Sequence, residues 1–183
     1  MRHWLFASVL LVIAAAFLYT YLAKKELGFD PIQDLPHEVL MMEDEEELAS
    51  LDLKSSNPNE LEAFFTKQNN LDFTPFILKV PSQWEAQGVS VIDYDFVKIG
   101  MTRFHNIVED DILFHFMFGG HLEDLSPSTR RSVDHFLYQA YSSNHLNLIV
   151  WQHNSKTLSM LVGHLPAEDL AHIAAISGSA IQK

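Results

Sequence analysis

The longest hydrophobic feature of this chain comes first. From Trp4 to Ala23 (WLFASVLLVIAAAFLYTYLA) there is no charge, and the polar positions are only Ser8, Thr20 and two tyrosines. At ~1.5 Å per residue such a helix covers about 30 Å, the thickness of the hydrocarbon layer. Trp4 at one end and Tyr19 and Tyr21 at the other stand where interfacial aromatics belong. The pattern predicts one transmembrane helix within residues 1–25. The rival is a cleavable signal peptide, with Arg2 as its positive leader and Ala14-Ala15-Ala16 as its cleavage site. The apolar run continues for seven residues past Ala16, which favours an uncleaved anchor.

Between residues 26 and 54 the periodicity is lost, and an acidic neck is expected. Pro31 and Pro36 interrupt its first part. The segment from His37 to Leu53 predicts a loose helix or a disordered spacer, its charges solvated. A folded domain is expected over residues 55–183. Asn57-Pro58-Asn59-Glu60 supplies a capping side chain, a first-turn proline and a glutamate three residues on. It predicts a helix to about Gln68 that buries Leu61, Phe64 and Phe65. Phe73 to Pro81 is apolar but irregular, bracketed by Pro75 and Pro81.

Strand periodicity follows. The runs 89–96 and 97–104 are rich in β-branched and aromatic residues; in the second, Val97, Ile99 and Met101 alternate with Lys98, Gly100 and Thr102. Residues 112–118 are apolar on both faces except at His115, as a central strand would be, and 106–111 make a polar turn before them. Ser126-Pro127 opens an expected second helix, with Val133, Phe136, Leu137, Ala140 and Tyr141 at helical spacing. The runs 146–152 and 157–162 predict a hairpin around His153-Asn154-Ser155-Lys156. Pro166 starts a last helix, with Glu168 and Asp169 in its first turn and Leu170, Ile173 and Ala174 as its buried stripe. The order predicts an α+β fold, a small antiparallel sheet with packed helices, rather than a βαβ repeat.

Charge narrows the partners. The net charge is −12, and 12 of the 24 acidic residues lie between Glu26 and Glu62, where Lys54 is the only base. A negative neck is repelled by an anionic bilayer and stands off from it. No Lys/Arg cluster offers counterion release, which argues against nucleic acid. The absence of cysteine excludes a lipoprotein anchor and permits an oxidising compartment. Arg2 before the apolar run and Lys24-Lys25 after it nearly balance the positive-inside rule, so charge alone leaves the orientation open.

Ten histidines raise a metal hypothesis. No pair has i,i+4 spacing beside a glutamate, and no cysteine is present to complete a zinc site. The nearest candidates are His115 and His121 at one strand's end, with His145 at the start of another; core or surface histidines are the commoner explanation. No Gly-x-Ser-x-Gly and no cysteine nucleophile occurs. Glu109-Asp110-Asp111 has the look of a solvated turn, and Gly119-Gly120 lacks the lysine of a phosphate loop. The reading assigns no catalytic residue, no cofactor and no metal. Its candidate partner contacts are the acidic run Glu43, Asp44, Glu45, Glu46 and Glu47, and Arg130 and Arg131 on the expected second helix.

Three C-terminal pieces, Asn147-Leu148-Ile149-Val150-Trp151-Gln152-His153, Lys156-Thr157-Leu158-Ser159-Met160-Leu161-Val162-Gly163 and Leu165-Pro166-Ala167-Glu168-Asp169-Leu170, resemble the end of bacterial transmembrane anti-sigma factors. Upstream, Ser55-Ser56-Asn57-Pro58, Phe64-Phe65, Leu71-Asp72-Phe73, Pro81 and a Gln87-Gly88-Val89 turn follow that family's order in its extracytoplasmic half. The resemblance spans roughly residues 53–176. It implies an amino terminus in the cytoplasm and the domain in the periplasm of a bacterial inner membrane. Only three residues precede the apolar run and there is no cysteine, so the family's cytoplasmic zinc-containing, sigma-capturing part has no counterpart here. Residues 121–144 look like an inserted helix.

Together these features lead to an expected non-enzymatic, membrane-anchored periplasmic interaction module. Its partners would be other inner-membrane proteins, and an accessory or regulatory subunit of a membrane complex is the leading version. The alternatives are an anti-sigma-like envelope regulator and a periplasmic sensor that binds a metal or small ligand through its histidines.

Overall fold

The computed structural model describes residues 30–41, 51–94, 97–125, 128, 130–133, 135–143 and 145–178. The apolar run Trp4–Ala23 and the acidic run Glu43–Glu47 lie outside them, and with them the expected transmembrane helix. Among the described residues no helix is long and apolar enough to cross a membrane.

Among the described residues seven antiparallel strands form one sheet: β1 Trp84–Tyr94, β2 Val97–Asn106, β3 Ile112–Gly119, β4 Arg130–Val133, β5 Phe136–Ser143, β6 Leu146–Gln152 and β7 Thr157–Gly163. Their order is β1-β2-β3-β7-β6-β5-β4. Two meanders, β1–β3 and β4–β7, therefore meet where β3 pairs with β7, with Phe114 opposite Val162 and Phe116 opposite Met160. Period-two alternation sends side chains to both faces, and both are buried. On the first face Leu113, Met117, Ile149, Trp151 and Leu161 form a core with Leu61 and Phe65 of helix α2 (Pro58–Thr66) and Leu170 and Ala174 of α3 (Ala167–Gly178). On the second face Phe114, Phe116, Phe118, Val150 and Met160 share a core with Ile32, Leu35 and Val39 of α1 (Pro31–Met41). The α+β class and the antiparallel sheet agree with the sequence reading, as do the β6–β7 hairpin and helices α2 and α3. The Asn57 side chain caps α2 by accepting from the Asn59 amide at 3.1 Å.

Two elements correct the sequence reading. Residues 31–41, expected to be interrupted neck, are the helix α1. Asp30 Oδ1 accepts from the Ile32 amide at 3.0 Å, and Asp34 Oδ2 accepts from the Asp30 amide at 2.8 Å, a reciprocal cap with Pro31 opening the helix. Pro36 inside the helix returns no hydrogen bond, a loss of about 3 kcal/mol. Full burial of Leu35 and Val39 contributes about 1.5–3 kcal/mol each, and the helix survives its proline.

The second correction concerns residues 130–143, expected to be a helix and found as the hairpin β4–β5. The apolar spacing fits both readings, because Phe136, Tyr138 and Ala140 also alternate. His135, at φ 68°, reverses the chain between the two strands in a left-handed conformation that a helix interior does not use. Phe136 then packs edge-on to Trp151, ring centroids 5.5 Å apart. Leu137, expected in the buried stripe, is 69% exposed. Arg130 and Arg131 accordingly stand on an edge strand instead of a helix.

The Gln87-Gly88-Val89 turn is also replaced, by a bulge inside β1 where the register shifts between Ala86 and Gly88. Here the chain covers its own sheet edge. Leu53 exchanges two backbone hydrogen bonds with Val89, 3.1 and 2.9 Å, and Asp52 Oδ2 accepts from the Val91 amide at 2.9 Å. A Cβ on Gly88 would sit 2.4 Å from the Leu53 carbonyl oxygen. Gly88→Ala is therefore expected to pry this segment off β1 and destabilise the domain by about 1–3 kcal/mol, read as a lower denaturation midpoint. An unchanged midpoint would refute the close approach.

Candidate functional site

Two places on this scaffold have unsatisfied chemistry. The first is the free edge of the sheet. Strand β4 is only four residues long and ends the strand order. Its register sets Arg130 opposite Gln139, Arg131 opposite Tyr138, Ser132 opposite Leu137 and Val133 opposite Phe136. Arg130 and Ser132 thus share the second face with Leu137, while Arg131 and Val133 share the first with Phe136. Both arginines are exposed, and neither forms an ion pair with a described residue. Arg130 and Leu137 line a shallow groove of about 430 Å³ together with His121, Leu122 and Gln152.

The second place is the middle of the first face. One row of paired positions runs Val89, Thr102, His115, Leu161, Ile149, Ala140 across six strands; the next includes Met117, Ser159 and Trp151. His115 is fully buried. Its two ring nitrogens, Thr102 Oγ1 and Ser159 Oγ have no hydrogen-bond partner among the described residues. The imidazole lies nearly parallel to Trp151, 5.8 Å between centroids, and edge-on to Phe76 at 5.0 Å. Phe76 also stacks on His153 at 3.7 Å. Burial pushes His115 down to about 3, the neighbouring His153 adding to the effect, and burial lowers His153 as well.

The irregular apolar segment 73–81 is what closes this face. It is held at three points: the Thr74 amide donates to Thr157 Oγ1 at 2.8 Å, the Phe76 amide to Met117 Sδ at 3.3 Å and the Lys79 amide to Ser177 Oγ at 2.6 Å. No family model, curated protein or solved structure matches this chain.

The structure does not bring the three candidate metal ligands together. His115 is inside the first face, His121 follows β3 in an exposed position, and His145 occupies the β5–β6 turn at φ 68°. Strand registers put His121 and His145 at opposite ends of the sheet, more than about 20 Å apart at ~3.3 Å per residue. Among the described residues no three His, Cys, Asp or Glu side chains are grouped to hold an ion. The histidine that does approach His115 is His153, through Phe76. The acidic run Glu43, Asp44, Glu45, Glu46 and Glu47 lies outside the described residues. Of the two proposed partner contacts only the arginines are therefore positioned, and the neighbouring strand β5 adds Leu137 to them. Thr102, Ser159 and Leu137 enter the sequence reading only as strand or helix positions, not as site residues. Alternation along β2 and β7 could have placed the first two beside His115; Leu137 could not be found while its segment was read as a helix.

Proposed function

We propose that this chain is a non-enzymatic interaction module held at a bacterial inner membrane by Trp4–Ala23, with its α+β domain on the periplasmic side. It serves as an accessory subunit of a membrane protein complex. The observation that carries this reading is the asymmetry of the two sheet edges. One edge is occupied by the chain's own residues 51–54, and the other presents two exposed arginines, without an ion pair among the described residues, beside an exposed leucine. The exposed backbone of a terminal strand is a template for a further strand, and arginine is enriched in protein interfaces. The apolar run and its interfacial aromatics support the anchor. The similarity to the extracytoplasmic half of anti-sigma factors supports the orientation.

The test is purification of the full-length protein from membranes in mild detergent, with Leu137→Glu beside the wild type. A membrane protein should accompany the wild type in fixed proportion and be lost from the variant. Leu137 is exposed, so the variant should keep its melting temperature, surface substitutions usually changing stability by less than about 0.5 kcal/mol. Recovery of the wild-type chain alone in repeated gentle preparations would overturn the reading. So would a freely soluble mature form whose first residue lies beyond Ala16.

A further inference from the structure

We infer that the partner adds an extended segment to β4 as an eighth strand, and that this segment carries two acidic residues in succession. The inference rests on the interaction reading above and specifies the chemistry of its partner.

The backbone argument starts from the edges. A terminal strand exposes a row of unpaired amides and carbonyls, a template for another strand. At β1 this template is engaged by Leu53 and Asp52. Outside β4 no described strand pairs. Strand addition is the recurrent way in which such an edge takes a peptide, main-chain hydrogen bonds giving affinity and alternate side chains giving specificity.

The charge argument sets the sequence of the incoming segment. Consecutive residues of a strand point to opposite faces, so Arg130 and Arg131 offer one guanidinium above the sheet and one below. A strand laid along β4 meets them with neighbouring residues of its own, one on each face, at cross-strand separations of about 4.5–5.5 Å. Adjacent acids satisfy both; acids at alternate positions leave one arginine unpaired. A planar guanidinium can hold a carboxylate through two parallel hydrogen bonds. In a chain with twice as many acidic as basic residues, two adjacent exposed arginines that form no ion pair with a described residue are complementary to an anionic partner, even with Glu123 lining the groove beside Arg130.

Leu137 separates docking from mere protection. Charged residues on an edge strand are also a device against aggregation, and arginines alone would fit that. Leu137, 69% exposed on the next strand, adds an apolar contact that charge protection alone does not use. Its cross-strand neighbour on β4 is Ser132, small enough for an apolar side chain of the added strand to reach over it to Leu137.

The experiment uses the full-length protein in detergent micelles and three fluorescent peptides, with anisotropy as the readout. One has the core Val-Glu-Asp-Val, one has the same residues with the acids separated (Glu-Val-Asp-Val), and one repeats the first with alternate amides N-methylated. The adjacent-acid peptide should bind, and binding should weaken at least tenfold in Arg130→Glu/Arg131→Glu, whose melting curve should match the wild type. The separated-acid peptide should bind several-fold more weakly, and the methylated one not measurably. Failure of the first peptide to bind, equal binding of the separated-acid peptide, or binding that survives methylation would each overturn the inference. Retention of a Leu137-dependent membrane partner alongside such a result would leave the interaction reading standing; loss of that partner in the wild type would remove both.

Discussion

Leu35→Ala will destabilise the domain by about 2–5 kcal/mol, the range for emptying a buried leucine site. Leu35 is fully buried within the second-face core, beside Val39 and the aromatic residues of β3. Were residues 31–41 a solvated spacer, the same substitution would change stability by no more than about 0.5 kcal/mol, as surface changes do. Urea denaturation followed by tryptophan fluorescence distinguishes the two, since Trp84 and Trp151 are buried in the first face and report loss of the sheet. Val39→Ala should act in the same direction with a smaller loss, because fewer atoms leave the core. A midpoint unchanged by Leu35→Ala would remove α1 from the fold.

Acidification is the second large effect. His115 titrates at about 3 in the folded chain and near 6.5 when unfolded. Between those values the unfolded chain takes up a proton that the native chain refuses. Stability is therefore complete above about pH 6.5, declines as the pH falls, and levels off below about 3. From pH 7 to pH 5 the loss from this one group is about 2 kcal/mol. His153, also lowered by burial, contributes in the same sense. His115→Leu should flatten much of this slope and cost little at pH 7, because an apolar side chain suits the site between Phe76 and Trp151 and removes two buried nitrogens that have no partner among the described residues. Unfolding free energies measured at pH 5, 6 and 7 provide the check. A variant that keeps the wild-type slope would exclude His115 as its source.

Much of the fold was legible in the sequence, and the exceptions have physical causes. Helix α2 declared itself through Asn57-Pro58 and α3 through Pro166 with Glu168 and Asp169, because caps and dipole partners act locally. The β6–β7 hairpin was readable because its two apolar runs flank a polar turn. Helix α1 was missed although Asp30, Pro31 and Asp34 form a regular helix start; Pro36 outweighed them in the reading, and only the buried surface of β3 and β7 shows why it does not in the fold. The β4–β5 hairpin was missed because Phe136 and Ala140 belong both to the helical stripe with Val133, Leu137 and Tyr141 and to the strand alternation Phe136, Tyr138, Ala140. The choice falls to the vacant edge of β6, which takes β5 as its neighbour, a tertiary fact no local window contains. For the candidate site, the two arginines were legible as residues but not as an edge, since an edge is defined by the strands that do not flank it.

The meeting of the two meanders along β3 and β7 also bears on how the chain reaches its native state. Every other strand pair joins sequence neighbours through a short turn, whereas Gly119 and Thr157 are separated by about 40 residues. Closing a loop of that length from an open chain costs roughly 3 kcal/mol of entropy, against about 2 kcal/mol when only some ten residues remain free. Each half therefore profits from zipping up its own hairpins first, with the long-range seam made last and with less chain left to confine.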